Sequence, residues 1–326
     1  MLKRLLYIFV ILLWAGVAKA QQLPIFSQYL YNKFLINPAV AGSDGYTSYS
    51  LTAREQWVGL YGAPQTFAFS GQTRIMKKKY IVRQTSTKKQ YVRPKSDGRI
   101  GLGAYVFSDR SGLMQRTGFQ LSYAYHMWID RNTQLSMGLA FTGYQFKLDE
   151  KQIDFHDPNE PWMNSDMRKG VFIPDAAAGV YILNAKYNAG FSVDQLFGAA
   201  LKLGDAAFKK FQMARQVNIF GAYTIEASRY GEIQPSFIFR MSTQLKPQAD
   251  AGLTYIYKQS FWAGLTYRTS GAAIAMIGAK YQNLWFGYSV DFTLQEIQRV
   301  TYGTHEFTVA MKFGDNSRRY RWLDRY

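Results

Sequence analysis

The sequence predicts a transmembrane antiparallel β-barrel of about fourteen strands behind an export signal. Three observations predict it. The N-terminus has the layout of a signal peptide. Strict two-residue alternation of apolar and polar residues recurs from about residue 46 to 313. The connections between the alternating segments are short at one end and longer at the other.

Lys3 and Arg4 form a positive n-region, Leu5–Val17 is a nearly unbroken apolar run, and Ala18-Lys19-Ala20 is a small-x-small cleavage site. Residues 1–20 therefore read as a signal peptide, with a mature chain beginning at Gln21. The run is shorter than a bilayer-spanning helix needs, and no later segment approaches ~18 consecutive apolar residues. No cysteine follows the site, so lipid anchoring through a thiol is excluded.

Residues 21–45 are rich in Phe, Tyr, Asn and Pro, alternate poorly, and are expected to serve as a plug segment. The barrel follows over 46–313. In Thr117–Ile129, Phe119, Leu121, Tyr123, Tyr125 and Met127 share one face, while Gln120, Ser122, Ala124 and His126 share the other. Ile233, Pro235, Phe237, Phe239 and Met241 likewise oppose Glu232, Gln234, Ser236 and Arg240. In the last segment, His305, Phe307, Val309, Met311 and Phe313 oppose Glu306, Thr308, Ala310 and Lys312. Period two with two different faces is the mark of a strand between two environments.

Strands are expected near 46–58, 65–76, 99–107, 116–129, 134–147, 174–183, 187–193, 214–227, 232–242, 249–258, 261–269, 272–281, 284–292 and 304–313. An even count puts both termini on the periplasmic side. The short turns 130–133, 184–186, 228–231, 259–260 and 282–283 then face the periplasm, and the longest loops, near 148–173 and 194–213, face outward. A soluble all-β protein with its polar face outward is the alternative that alternation alone leaves open.

Composition agrees. Aromatics make up 17% of the chain, with 24 Tyr and 23 Phe, and mean hydropathy is only −0.22, too low for a bundle of membrane helices. With no cysteine and only three histidines, thiolate chemistry is excluded and little is left for a histidine metal cluster. Neither a catalytic residue nor a cofactor or metal site is expected. A lipid hydrolase would need an aligned Ser-His pair. His126 beside Ser122 and Ser136, and His305 beside Glu306, read instead as hydrogen-bonded structural histidines.

The formal charge is +17, which invites a nucleic-acid reading, but its distribution argues against one. The export signal holds three basic residues, leaving +14; the periplasmic connection Met76–Gly98 carries eight basic residues against one acid, half of that remainder. The eight are Lys77, Lys78, Lys79, Arg83, Lys88, Lys89, Arg93 and Lys95. They suit either adhesion to anionic outer-membrane lipids or docking of an acidic periplasmic partner. Residues 314–326 form a basic periplasmic tail, while outer residues 148–171 are acidic without the spacing of a calcium loop. On the inward faces, Arg240, Asp250 and Arg268 are expected to meet near the outer rim and Glu232 to face Lys258 near the periplasmic rim.

Several stretches resemble the PorP/SprF family of the Bacteroidota type IX secretion system. Pro24-Ile-Phe26-Ser27-Gln28-Tyr29, then Asn32, then Asn37-Pro38-Ala-Val-Ala-Gly42 resembles its opening signature. Arg54-Glu-Gln56-Trp57-Val-Gly59, with Gly62-Ala-Pro64 and Thr66, resembles its second element. Gly101-Leu-Gly103 with Asp109 and Gly112, Ala189-Gly-Phe-Ser-Val193 with Gln195-Leu-Phe197, and Gly303-Thr-His305-Glu306 follow in the family's order. The resemblance implies a non-enzymatic outer-membrane component of secretion and gliding machinery. It would bind a periplasmic lipoprotein, or assist the secretion and surface attachment of an adhesin. No nucleic acid or small-molecule substrate is expected. A channel for small or hydrophobic solutes is the alternative, since a barrel of this strand number is wider than side chains alone fill. From the residues themselves, Gly59–Pro64 reads as a tight hairpin and Trp57 as an interface-belt residue.

Overall fold

A computed structural model describes residues 25–75, 99–130, 132–148, 171–198, 214–242 and 246–313. The export signal, the basic segment Lys77–Lys95, most of both long outer loops and the C-terminal tail lie outside the described residues.

Two 3-10 turns, η1 (Lys33–Leu35) and η2 (Pro38–Val40), precede the wall. The strands are β1 Thr47–Glu55, β2 Gln65–Ile75, β3 Ile100–Ser111, β4 Met114–Trp128, β5 Thr133–Leu148, β6 Val171–Asn184, β7 Tyr187–Asp194, β8 Gln216–Tyr223, β9 Ile225–Glu226, β10 Gly231–Ser242, β11 Gln248–Tyr257, β12 Phe261–Arg268, β13 Ala272–Tyr281, β14 Leu284–Thr293 and β15 Thr304–Phe313. Each pairs antiparallel with its neighbour, and β15 closes on β1 from Thr47↔Phe313 to Glu55↔His305. β8 and β9 share one position in the wall, both pairing with β10, so fifteen strands make a closed barrel of fourteen spans. Thr224 separates them because its N–H turns to the Lys186 carbonyl.

The polarity is inverted relative to a water-soluble protein. Leu51, Phe67, Phe69, Leu121, Leu139, Phe141, Leu253 and Leu265 are exposed on the outside. Ser48, Ser50, Thr52, Thr66, Ser70, Thr254, Thr266 and Thr308 are buried inside. Such burial rules out the soluble alternative, because water would leave this apolar band uncovered, whereas lipid covers it. No helix among the described residues is long and apolar enough to cross a membrane.

At one end the turns are tight, with Lys186 leaving only two residues between β6 and β7, and Gln282 (φ 54°) starting the two-residue turn between β13 and β14. The first outer connection corrects the sequence reading. Residues 56–64 form a nine-residue loop rather than a tight hairpin, and Val58 exchanges backbone hydrogen bonds with Gly303 and Tyr302 of the β14–β15 connection. Trp57 accordingly lines the inside of the outer mouth instead of a lipid-facing belt.

Candidate functional site

The N-terminal segment lies against the inward faces of the strands. Ile25 is at the outer mouth, Lys33 lies in a crevice toward the periplasmic end, and the chain returns to the wall at Thr47. Phe26, Tyr29, Leu30, Phe34, Ala39, Val40 and Ala41 are buried in one core with inward-facing Tyr105, Phe107, Tyr144, Tyr181, Phe220 and Ile238. Burying one such aromatic side chain contributes roughly 1.5–3 kcal/mol.

Two features of the wall admit the segment. The first is missing side chains. A Cβ at Gly101 would fall on the Ala41 carbonyl and crowd His126, and one at Gly179 would fall on the Asn37 carboxamide. With glycine there, Asn37 Nδ2 reaches between β6 and β7 to the carbonyls of Val180 (3.0 Å) and Phe191 (3.2 Å), while its Oδ1 accepts from Ala39 N–H and caps η2. Pro38 supplies the fixed φ at the first position of that turn. Gly42, at φ 67°, turns the chain where a Cβ would meet the Thr73 carbonyl. The second feature is inward polar groups that bind backbone. His126 Nε2 donates to Ala41 O (2.9 Å), which leaves Nδ1 to accept from Ser136 Oγ (2.7 Å). Ser192 Oγ donates to Ile36 O.

A charged belt anchors the start of the segment. Glu306 accepts from Ser27 N–H (2.8 Å), Gln28 N–H (2.9 Å) and Arg54 Nη1 (2.9 Å). Arg54 also donates to Ser27 Oγ (2.8 Å) and to Asp291 Oδ2 (2.9 Å), and Ser27 Oγ donates to the same Asp291 oxygen (2.7 Å). The belt continues from Asp291 to Arg268 (3.3 Å), to Asp250 (3.1 Å) and to Arg240 (2.8 Å), whose guanidinium lies over the Tyr29 ring. Three guanidiniums and three carboxylates alternate along this run of contacts, Arg240–Asp250–Arg268–Asp291–Arg54–Glu306, drawn from β10, β11, β12, β14, β1 and β15. Buried charges are tolerated when compensated in this way, and removing one member leaves the others unpaired.

The motif residues thus separate into groups. Ser27, Gln28, Arg54 and Glu306, more than 250 positions apart at the extremes, come together, with Phe26 and Tyr29 in the adjoining core. Asn37, Pro38 and Gly42 shape the segment. Gln56, Trp57 and Pro64 line the outer mouth, with Gln56 N–H bonded to the Pro64 carbonyl. Gly59 and Gly62 supply left-handed turns at φ 99° and 70°. His305 stands apart on the outer face, hydrogen-bonded to Tyr288 Oη (2.6 Å). Asp291 was not singled out from sequence. Its alternation with outward Phe286, Tyr288, Val290 and Phe292 marked it as an inward carboxylate. The expected meeting of Arg240, Asp250 and Arg268 is present. The expected facing of Glu232 and Lys258 is not: Lys258, at φ 50° in a turn, lies over Tyr230 and Tyr257, and Glu232 accepts from Gln259. No cluster of three or more His, Cys, Asp or Glu placed to hold a metal ion occurs among the described residues.

Residues 18–311 match the family described as Type IX secretion system membrane protein PorP/SprF. The chain belongs to this family. Its barrel is that of an outer-membrane secretion component. No curated protein matches the chain. Among solved structures, the Ralstonia pickettii toluene transporter TbuX is 11% identical, with a TM-score of 0.47, covering 86% of this chain and 92% of its own. The P. putida toluene transporter TodX is 9% identical, with a TM-score of 0.46, covering 86% and 92%. The CymD monoaromatic hydrocarbon channel is 10% identical, with a TM-score of 0.47, covering 90% and 94%. At these scores the likeness is one of outline.

Proposed function

We propose that this PorP/SprF protein is a non-enzymatic, internally plugged outer-membrane anchor of the type IX machinery. In this reading residues 1–20 are cleaved on export, residues 21–45 are a resident plug, and residues 46–313 are the anchor. The basic segment Lys77–Lys95 docks an acidic periplasmic lipoprotein. One observation supports the plug above all: Ser27 and Gln28 N–H groups converge on the buried Glu306 carboxylate, itself held by Arg54. A wall built to bind backbone of its own chain suits a closed scaffold better than a conduit. The docking role is supported by charge, since eight cations on one periplasmic connection steer an acidic partner.

Co-purification from detergent-solubilised outer membranes tests the partner. A periplasmic lipoprotein recovered with the wild type and lost on deleting Lys77–Lys95 supports docking. A surface adhesin recovered equally with both proteins would instead place the partner on the outer loops and make the basic segment a lipid contact.

A further inference from the structure

The outer mouth holds a cavity of about 720 Å³ that the anchor role leaves unused. Ligand sites commonly occupy about 300–1,000 Å³. Its lining is about evenly polar and apolar, and its charges are already matched: Arg116 pairs with Asp109 (2.8 Å), and Arg54 and Arg268 pair with Asp291. An ion gains little where every charge has its counter-charge. The uncharged lining is distinctive. Three carboxamides from separate elements, Gln56, Gln248 and Gln295, converge there with the ring of Trp57. Gln248 and Gln295 each give one Nε2 proton, to Asp250 and to the Ser270 carbonyl, and each carboxamide has a second N–H and a carbonyl oxygen besides. Trp57 is held at φ 54°, a conformation that bulky side chains rarely adopt, with its N–H on Thr304 Oγ1. Backbone strain at an aromatic residue that lines a cavity is a pointer to function.

We infer that this vestibule is a binding site for a neutral saccharide, with Trp57 as the stacking platform and Gln56, Gln248 and Gln295 as hydroxyl partners. Carboxamides suit hydroxyl groups because they both donate and accept. Peptide modes fit less well. The described barrel wall is closed and offers no free strand edge for a peptide to augment. The site opens at the mouth opposite the end of β15, beside Ile25 of the N-terminal segment, where extracellular glycan is accessible.

Isothermal titration of the full chain in detergent with maltose, cellobiose and N,N′-diacetylchitobiose tests this. Saturable binding of at least one disaccharide is expected, weakened at least tenfold by Trp57→Leu and by Gln56→Ala, and unchanged by Lys258→Ala at the far rim. Unaltered thermal melting of Gln56→Ala separates lost contact from lost fold. No saturable heat with any of the three sugars, or equal binding by Trp57→Leu and Gln56→Ala, overturns the proposal. Saturable binding of a neutral pentapeptide in their place does so too.

Discussion

Replacing Glu306 by alanine should release the start of the N-terminal segment without opening the wall. The carboxylate accepts three hydrogen bonds, from Ser27 N–H, Gln28 N–H and Arg54 Nη1, and is 1% exposed. Hydrogen bonds to a charged group are worth about 1.5–3 kcal/mol each, and removing one partner of a buried ion pair costs about 3–5 kcal/mol. The lower total is the better guide, because Arg54 keeps Asp291 and water can reach the freed N–H groups. At 1.4 kcal/mol per decade, the detached state should rise roughly 10²- to 10³-fold. The wall should hold, since position 306 pairs with Arg54 and Ser289 through backbone, which alanine retains. Hydrogen–deuterium exchange read by mass spectrometry separates the two. Peptides over 26–41 should exchange faster while those over 304–313 stay protected. Unchanged protection of 26–41 would refute the anchoring role of Glu306; equal loss across all strands would refute the separation of segment from wall.

Gly101→Ala places a methyl group on the Ala41 carbonyl, so the segment must shift. A loss of about 1–3 kcal/mol is expected, read as a lowered melting temperature; no change would mean that the contact is slack. His126→Ala leaves the Ala41 carbonyl without its imidazole donor and Ser136 Oγ with Gln134 Nε2 but no acceptor. It should cost about 1–3 kcal/mol, with no esterase activity present to lose, and a lipase activity abolished by this change would contradict the structural role. Lys33 provides a pH test. Burial, aided by nearby Lys312, pulls it from 10.5 down to about 7. The folded state thus binds fewer protons than the unfolded chain between those values, so segment stability should fall as pH drops from above 10.5 to about 7 and level off below. Lys33→Met should flatten that dependence in exchange experiments, and an unaltered profile would assign it to other groups.

Much of the wall could be read from the chain because the signal is redundant. Phe119, Leu121 and Tyr123 alternate with Gln120, Ser122 and Ala124, and a one-residue slip would put every one of them in the wrong medium. The Arg240–Asp250–Arg268 group followed from the same logic, since neighbouring strands bring inward residues level. Glu232 and Lys258 escaped it because Lys258 lies beyond the end of β11, in a left-handed turn where strand register no longer applies. The break at Thr224 and the nine-residue outer loop depend on hydrogen bonds to distant carbonyls, at Lys186 and Gly303, which no local pattern announces. Motif residues such as Ser27, Arg54 and Glu306 stood out as a resemblance. Their meeting inside the barrel is a tertiary fact, set by closure of β15 on β1.

Planar-bilayer recording of the purified chain shows whether the N-terminal segment closes the barrel. The wild type should give no steady conductance, and Glu306→Ala should give open-channel steps. A steady ion current through the wild type, unchanged by the substitution, would contradict that closure and restore the conduit reading.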